Sequence, residues 1–296
     1  MRKTVLVVRK TVRVLKTALN FWLSLSVTGR VGLSITLFWL CMALFGGWLS
    51  PYNVEDLGAG GINEGFSKTF LLGTDYLGRD MLTRVLYGAR YSIGLALTAA
   101  VLASTLGTLL ALLAAMSGRW LEELLGRIND ALLIMPGKIM ALLIVAVFSS
   151  SLPMLIVTAV ITYWPGAYRI AYAMASNLRS MDYVQAAHLR GESKLYIALT
   201  DVLPNMLHPM LTDFGLRFVY IVLLLSGLSF LGLGVQPPYA DWGTLVHENL
   251  QALFDGSPAV LIPAIAIASL TIGVNLFIDS LPSRRTIRLE LEEETA

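Results

Sequence analysis

Along this chain, apolar runs long enough to cross a bilayer alternate with short polar stretches, and one of those polar stretches keeps a helical rhythm of its own. Crossing the hydrocarbon core takes about 20 apolar residues, and inside it only a helix or a closed barrel satisfies the backbone. The pattern predicts six helices, over about 31–49, 91–116, 131–152, 154–175, 206–235 and 259–281. The third and fourth are parted by Ser149, Ser150, Ser151, Leu152 and Pro153, breakers that mark a tight turn; one long kinked helix is the alternative. The expectation is an all-α integral membrane protein: a transmembrane domain over 31–283 between a basic segment, 1–30, and a tail, 284–296.

The polar stretch with helical rhythm lies inside the loop 176–205, where Arg179, Asp182, Arg190, Glu192, Lys194 and Asp201 separate two apolar spans. Tyr183, Ala186, Ala187 and Arg190 recur at three- and four-residue spacing and share a helical face, and adjacent alanines let a neighbouring surface come close. Gly191 suits the left-handed turn that ends a helix, Ser193 is placed to start a second one, and Pro204 to bound it near the membrane. This is the pattern of an element that another protein docks on; with no partner, the same residues form a solvated loop.

The basic residues orient the spans. Segment 1–30 holds Arg2, Lys3, Arg9, Lys10, Arg13, Lys16 and Arg30 without one acidic residue, which keeps it cytoplasmic. Six spans return the C-terminus, with Arg284, Arg285 and Arg288, to the same side. The loops 50–90 and 236–258 then face outward, residues 65 and 245 among them; the second has no Lys or Arg, and the first offsets Lys68, Arg79, Arg84 and Arg90 with acidic neighbours. Residues 4–25 suit a helix lying on an anionic leaflet, or equally a frayed tail. The first span is long and lacks a small-residue cleavage site, so it reads as an uncleaved anchor.

Composition agrees with a bilayer protein: 56% hydrophobic, 14% charged, mean hydropathy +0.68. A net charge of +2 gives no electrostatic footprint for nucleic acid, and the single Cys41 excludes an intrachain disulfide. Pro136-Gly137-Lys138 lacks the earlier glycine and the Ser/Thr of a phosphate loop, so energy must come from a partner or an ion gradient. His188, His208 and His247 show no metal-ligand spacing. No catalytic, cofactor or metal site is expected, and the chain reads as a transporter rather than an enzyme. Asp213 and Arg217, four apart in the fifth helix, are candidates for the pathway or for a simple ion pair. An ion-gradient-driven secondary transporter would carry inverted repeats, and none is evident.

The docking stretch resembles the cytoplasmic coupling loop of bacterial ABC importer permeases, Glu-Ala-Ala, three residues, Gly, then Leu-Pro. Here it reads Gln185-Ala186-Ala187, Gly191 and Leu203-Pro204, with Gln185 in place of the acidic residue and Asp201 where a histidine often stands. Two further blocks, Leu72-Gly73-Thr74-Asp75-Tyr76-Leu77-Gly78-Arg79-Asp80 and Ser229-Phe230-Leu231-Gly232-Leu233-Gly234 with Trp242-Gly243, are similar to those of the second (C-type) permease of dipeptide, oligopeptide and nickel importers, co-linear over 30–283.

The resemblance implies a type I permease in the bacterial inner membrane, forming half of a translocation pathway. It implies a heterodimer with a second, homologous permease, two cytoplasmic ATPase subunits that hold the ATP-Mg, and an external binding protein that selects the cargo. Peptides are the first expectation; nickel, a metal chelate, an opine or another small solute are alternatives. Asp75, Arg79 and Asp80 either face the binding protein or cap and pair locally. Gly232, Gly234 and Trp242 serve as a gate or as packing.

Overall fold

A computed structural model of the chain describes residues 22, 25–54, 56–58 and 60–281. The basic residues Arg2 to Lys16, nearly all of the surface helix expected over 4–25, and the tail 284–296 lie outside the described residues. Among the described residues, five helices are long and apolar enough to cross a membrane, and a bent pair makes a sixth.

Helix α1, Val27–Leu49, is capped by Ser26, whose hydroxyl accepts from the Gly29 amide at 3.2 Å. Helix α2, Met81–Met116, starts at 81 rather than 91. Arg84 and Arg90 made its first turns look like loop, but Asp80 caps the helix by accepting from the Thr83 amide at 2.8 Å, and Arg84 is neutralised by carboxylates from elsewhere in the chain. The span expected at 131–152 is two helices, α3 (Arg119–Ile134) and α4 (Gly137–Phe148), meeting at 87°. Pro136 has no amide hydrogen to donate and holds Met135 in an extended conformation, so no helix runs through. The turn after α4 follows expectation, with Ser149 at φ 76°, and α5 runs Leu152–Arg179.

Two short helices follow: α6, Asp182–Leu189, and α7, Lys194–Ile197. Pro204 does not bound the second. A π-helical turn over Ala198–Val202 carries α7 directly into α8, Leu203–Phe230, through a five-residue bond from the Leu203 amide to the Ala198 carbonyl. The wider turn accommodates a residue that cannot donate. Beyond α8 lie α9 (Trp242–Glu248), two 3-10 turns (Leu250–Leu253 and Pro258–Val260) and α10 (Leu261–Asp279).

Small residues set the packing, as expected where lipid removes the hydrophobic drive between helices. α2 and α5 form the most extensive pair; a Cβ on Gly107 would stand 2.6 Å from that of Ala167. α1 lies on α10 where Gly32 approaches the Gly273 carbonyl. Among the described residues the buried side chains form two cores. One gathers around Trp242, Met81, Leu155 and Leu270, and the other joins the ends of α2, α5 and α8 to Val184, Ala187 and Ile197 of the two short helices.

Candidate functional site

Helix α6 ends in a Schellman turn. Gly191 sits at φ 80°, its amide donates to the His188 carbonyl at 3.0 Å, and the Glu192 amide reaches back to Ala187 at 3.3 Å. Ser193 caps α7 by accepting from the Tyr196 amide at 3.3 Å. The expected sequence of helix, glycine turn and capped second helix is therefore present. The expected face is not. Val184 and Ala187 are fully buried in the second core, against this chain's own helices, while Tyr183, Gln185, Ala186 and Arg190 are exposed. Three- and four-residue spacing put both alanines on the docking face; burial of Val184 three residues earlier turns Ala187 inward and leaves only Ala186 outward.

The polar members of the element are tied locally. The Gln185 side chain donates to the Ser180 carbonyl at 3.1 Å, and Arg190 pairs with Glu192 at 2.8 Å. Pro204 is exposed and Leu203 half-buried in the first turn of α8. Further apolar residues complete the outer surface. Leu189 is 90% exposed, and Leu195, Tyr196 and Met181 also stand out. α6 and α7 thus present an apolar patch rimmed by charge, seated rigidly on the ends of three spans.

At the opposite end of α2, the charged block closes on itself. Asp75 has no exposed surface; its carboxylate accepts from Arg79 Nε at 2.7 Å, from Arg84 Nη1 at 2.8 Å, and from the Leu77 and Arg79 amides at 2.9 Å. Arg84, 3% exposed, also donates to Glu248 of α9 at 2.7 Å. Asp80 is buried as the α2 cap. Neither aspartate is free to meet an external protein, so the local pairing holds and the outward-facing role does not.

Trp242, Gly232 and Gly234 likewise form a clasp. The Trp242 indole donates to the Val85 carbonyl and its amide to Ser92, both at 2.9 Å, and its ring meets Trp39 edge-on at 4.8 Å. Gly232, at φ 78°, ends α8 in a second Schellman turn, with Leu233 donating to Leu228 at 2.9 Å. A Cβ on Gly234 would collide with Ser229. Asp241 caps α9 through the Thr244 amide at 2.9 Å and accepts from Ser229 at 2.9 Å. Burial pushes its carboxyl above the ordinary range, against the lowering effect of those hydrogen bonds.

Asp213 and Arg217 form a bidentate pair on α8, at 2.7 and 2.9 Å, and Arg217 Nη1 donates to the Tyr163 carbonyl of α5 at 2.6 Å. The pair braces two spans. A charge that the sequence reading passed over is Arg169, exposed on α5 within a span; an arginine between apolar turns was the signal.

The geometry is thus a bundle of spans with two short helices, partly apolar on their outer surface, at one end. A model of the family described as "Binding-protein-dependent transport system inner membrane component" matches residues 105–287. The chain belongs to that family. It is a permease subunit of an ABC importer. A Brucella abortus protein provisionally named a peptide transport system permease is 40% identical over 75% of each chain. The di/tripeptide transport system permease of Pseudomonas aeruginosa is 34% identical over 84% of each, and the glutathione transport system permease of Pectobacterium atrosepticum 30% over 88% of each.

Proposed function

We propose that this permease carries short peptides across the bacterial inner membrane, forming half of a pathway completed by a second, homologous permease. One of two cytoplasmic ATPase subunits docks on α6 and α7, and an external binding protein delivers the cargo. Both termini are cytoplasmic. The cargo reading is supported by the names of the relatives, all of peptide or glutathione systems. The coupling reading rests on one observation: Leu189 and its apolar neighbours stay exposed on an element that the chain holds rigidly through Val184 and Ala187. A surface so built moves with the ends of α2, α5 and α8, so a push on it reaches three spans.

The cargo is tested in the importer assembled with its cognate subunits, by comparing uptake of a labelled dipeptide with that of nickel, a nickel chelate and an opine. Saturable, ATP-dependent dipeptide uptake supports the reading. Uptake of one of the others with none of the dipeptide overturns it.

A further inference from the structure

Arg169 lies on α5, a helix long and apolar enough to cross a membrane, about 15 Å along its axis from the last residue, Arg179. It is exposed, and it makes no hydrogen bond or ion pair among the described residues. A bare guanidinium facing lipid is expensive; such a residue faces water or another protein instead. It lines a cavity of about 620 Å³ between α5 and α3, shared with Tyr168, Tyr172, Arg127, Asn129 and Asp130.

Some charge in this cleft is already used. Tyr172 donates to Glu122, and Arg119 pairs with Glu123 at 2.7 Å. Arg169, Arg127 and Asp130 remain without a partner among the described residues. Asn129 adds a second, independent sign: it is 2% exposed, and its side-chain oxygen is buried with nothing donating to it. The cleft therefore offers guanidinium donors and, beside them, an unpaired carboxylate and a buried acceptor that lacks a donor. A simple anion would meet the Asp130 carboxylate and leave the buried Asn129 oxygen without a donor, and a bare metal cation would meet two arginines. A molecule with a carboxylate and an ammonium satisfies both sets.

The geometry points to this cleft as a stretch of the solute pathway, in which Arg169 receives the terminal carboxylate of a short peptide while Asp130 and Asn129 receive its ammonium. The assignment rests on the peptide reading above. Its position near the docking end of α5 makes it a station passed after the external mouth.

Gly126 lines the same cleft, and a Cβ there meets nothing within 4 Å, so Gly126→Cys in a Cys41→Ser background is a mild probe. In the assembled importer in nanodiscs, a charged thiol reagent should label Cys at this position, and a dipeptide should slow the labelling. An amidated dipeptide should protect far less. Arg169→Gln should leave the labelling rate alone but raise the dipeptide concentration needed for protection about tenfold or more, the scale of a lost charged hydrogen bond; Arg169→Lys should restore part of it. Absence of labelling, or equal protection by free and amidated peptide, overturns the assignment. Dipeptide uptake by the parent importer is measured alongside: uptake without protection overturns the cleft alone, whereas no uptake overturns the peptide reading with it.

Discussion

Ala186 and Ala187 are neighbours in sequence and face opposite ways: Ala187 has no exposed surface and packs in the core that joins α2, α5 and α8, whereas Ala186 is open to solvent. Substitution at the two positions should therefore separate folding from docking. Ala187→Arg buries an unpaired charge inside this chain, on the order of several kcal/mol, and should lower thermal stability in detergent even without partners. Ala186→Arg should leave that stability unchanged and weaken co-purification with the ATPase subunits by about a hundredfold if the contact is tight. Equal behaviour of the two variants in both assays contradicts the orientation of α6.

Gly191 tests the turn rather than the space around it. A Cβ there meets nothing, but the residue sits at φ 80°. Gly191→Val should cost at least about 1–2 kcal/mol of local strain and misdirect α7, reducing ATPase co-purification while the permease stays in the membrane. Gly191→Asn, which tolerates left-handed backbone, should retain most of it. Matching losses in both variants would point to a side-chain contact instead.

Much of this was legible in the sequence, and the differences, Pro204 apart, arise from tertiary contacts. Six apolar stretches and the helix, glycine and capped helix of 182–197 follow from local pattern alone, because periodicity and caps are local. The start of α2 was misplaced because Arg84 looks like a loop charge until Asp75 and Glu248, nine and 164 residues away, are seen to neutralise it. The Pro204 break failed for a local reason that composition hides, a π turn that absorbs the missing donor. The facing of Ala187 depended on which side of α6 met the ends of the spans, a tertiary fact. For Asp75 and Asp80 the sequence leaves recognition and local pairing both open, because it shows charge and not burial.

The buried cluster around Asp75 should behave as structure. Asp75→Ala leaves Arg84 short of one of its two carboxylates in a site with little water, and a loss of about 3–5 kcal/mol is expected on breaking such a pair. Thermal unfolding followed by tryptophan fluorescence checks this, since Trp242 opens α9, the helix that ends in the cluster's Glu248. A stability loss below about 1 kcal/mol, the level of exposed pairs, would return Asp75 to the list of surface residues.

Asp241 gives a pH signature. Its carboxyl is raised above the ordinary 3.8 by burial, so between 3.8 and its native value the folded chain holds a proton that the unfolded chain has lost. Stability from this group is complete below the ordinary value and declines as pH rises through the native one. Asp241→Asn keeps a cap and removes the titration, so the stability difference between parent and variant should shift against the parent as pH is raised across that interval. A difference independent of pH would contradict the burial argument.

Orientation is checked by single cysteines in a Cys41→Ser background. Leu245 is fully buried and unsuited to labelling, so Phe254, 92% exposed, replaces it. Gly65→Cys and Phe254→Cys should react with an impermeant reagent from outside, and Leu189→Cys only from the cytoplasm. The reverse pattern would invert the bundle.

Assignment as an ATP-driven peptide permease is tested most directly by accumulation of a labelled dipeptide in proteoliposomes containing this chain, the second permease, both ATPase subunits and the external binding protein. Accumulation should require ATP and every subunit, and this chain alone should neither hydrolyse ATP nor accumulate solute under an ion gradient. Gradient-driven accumulation or ATP hydrolysis by the chain alone would contradict it.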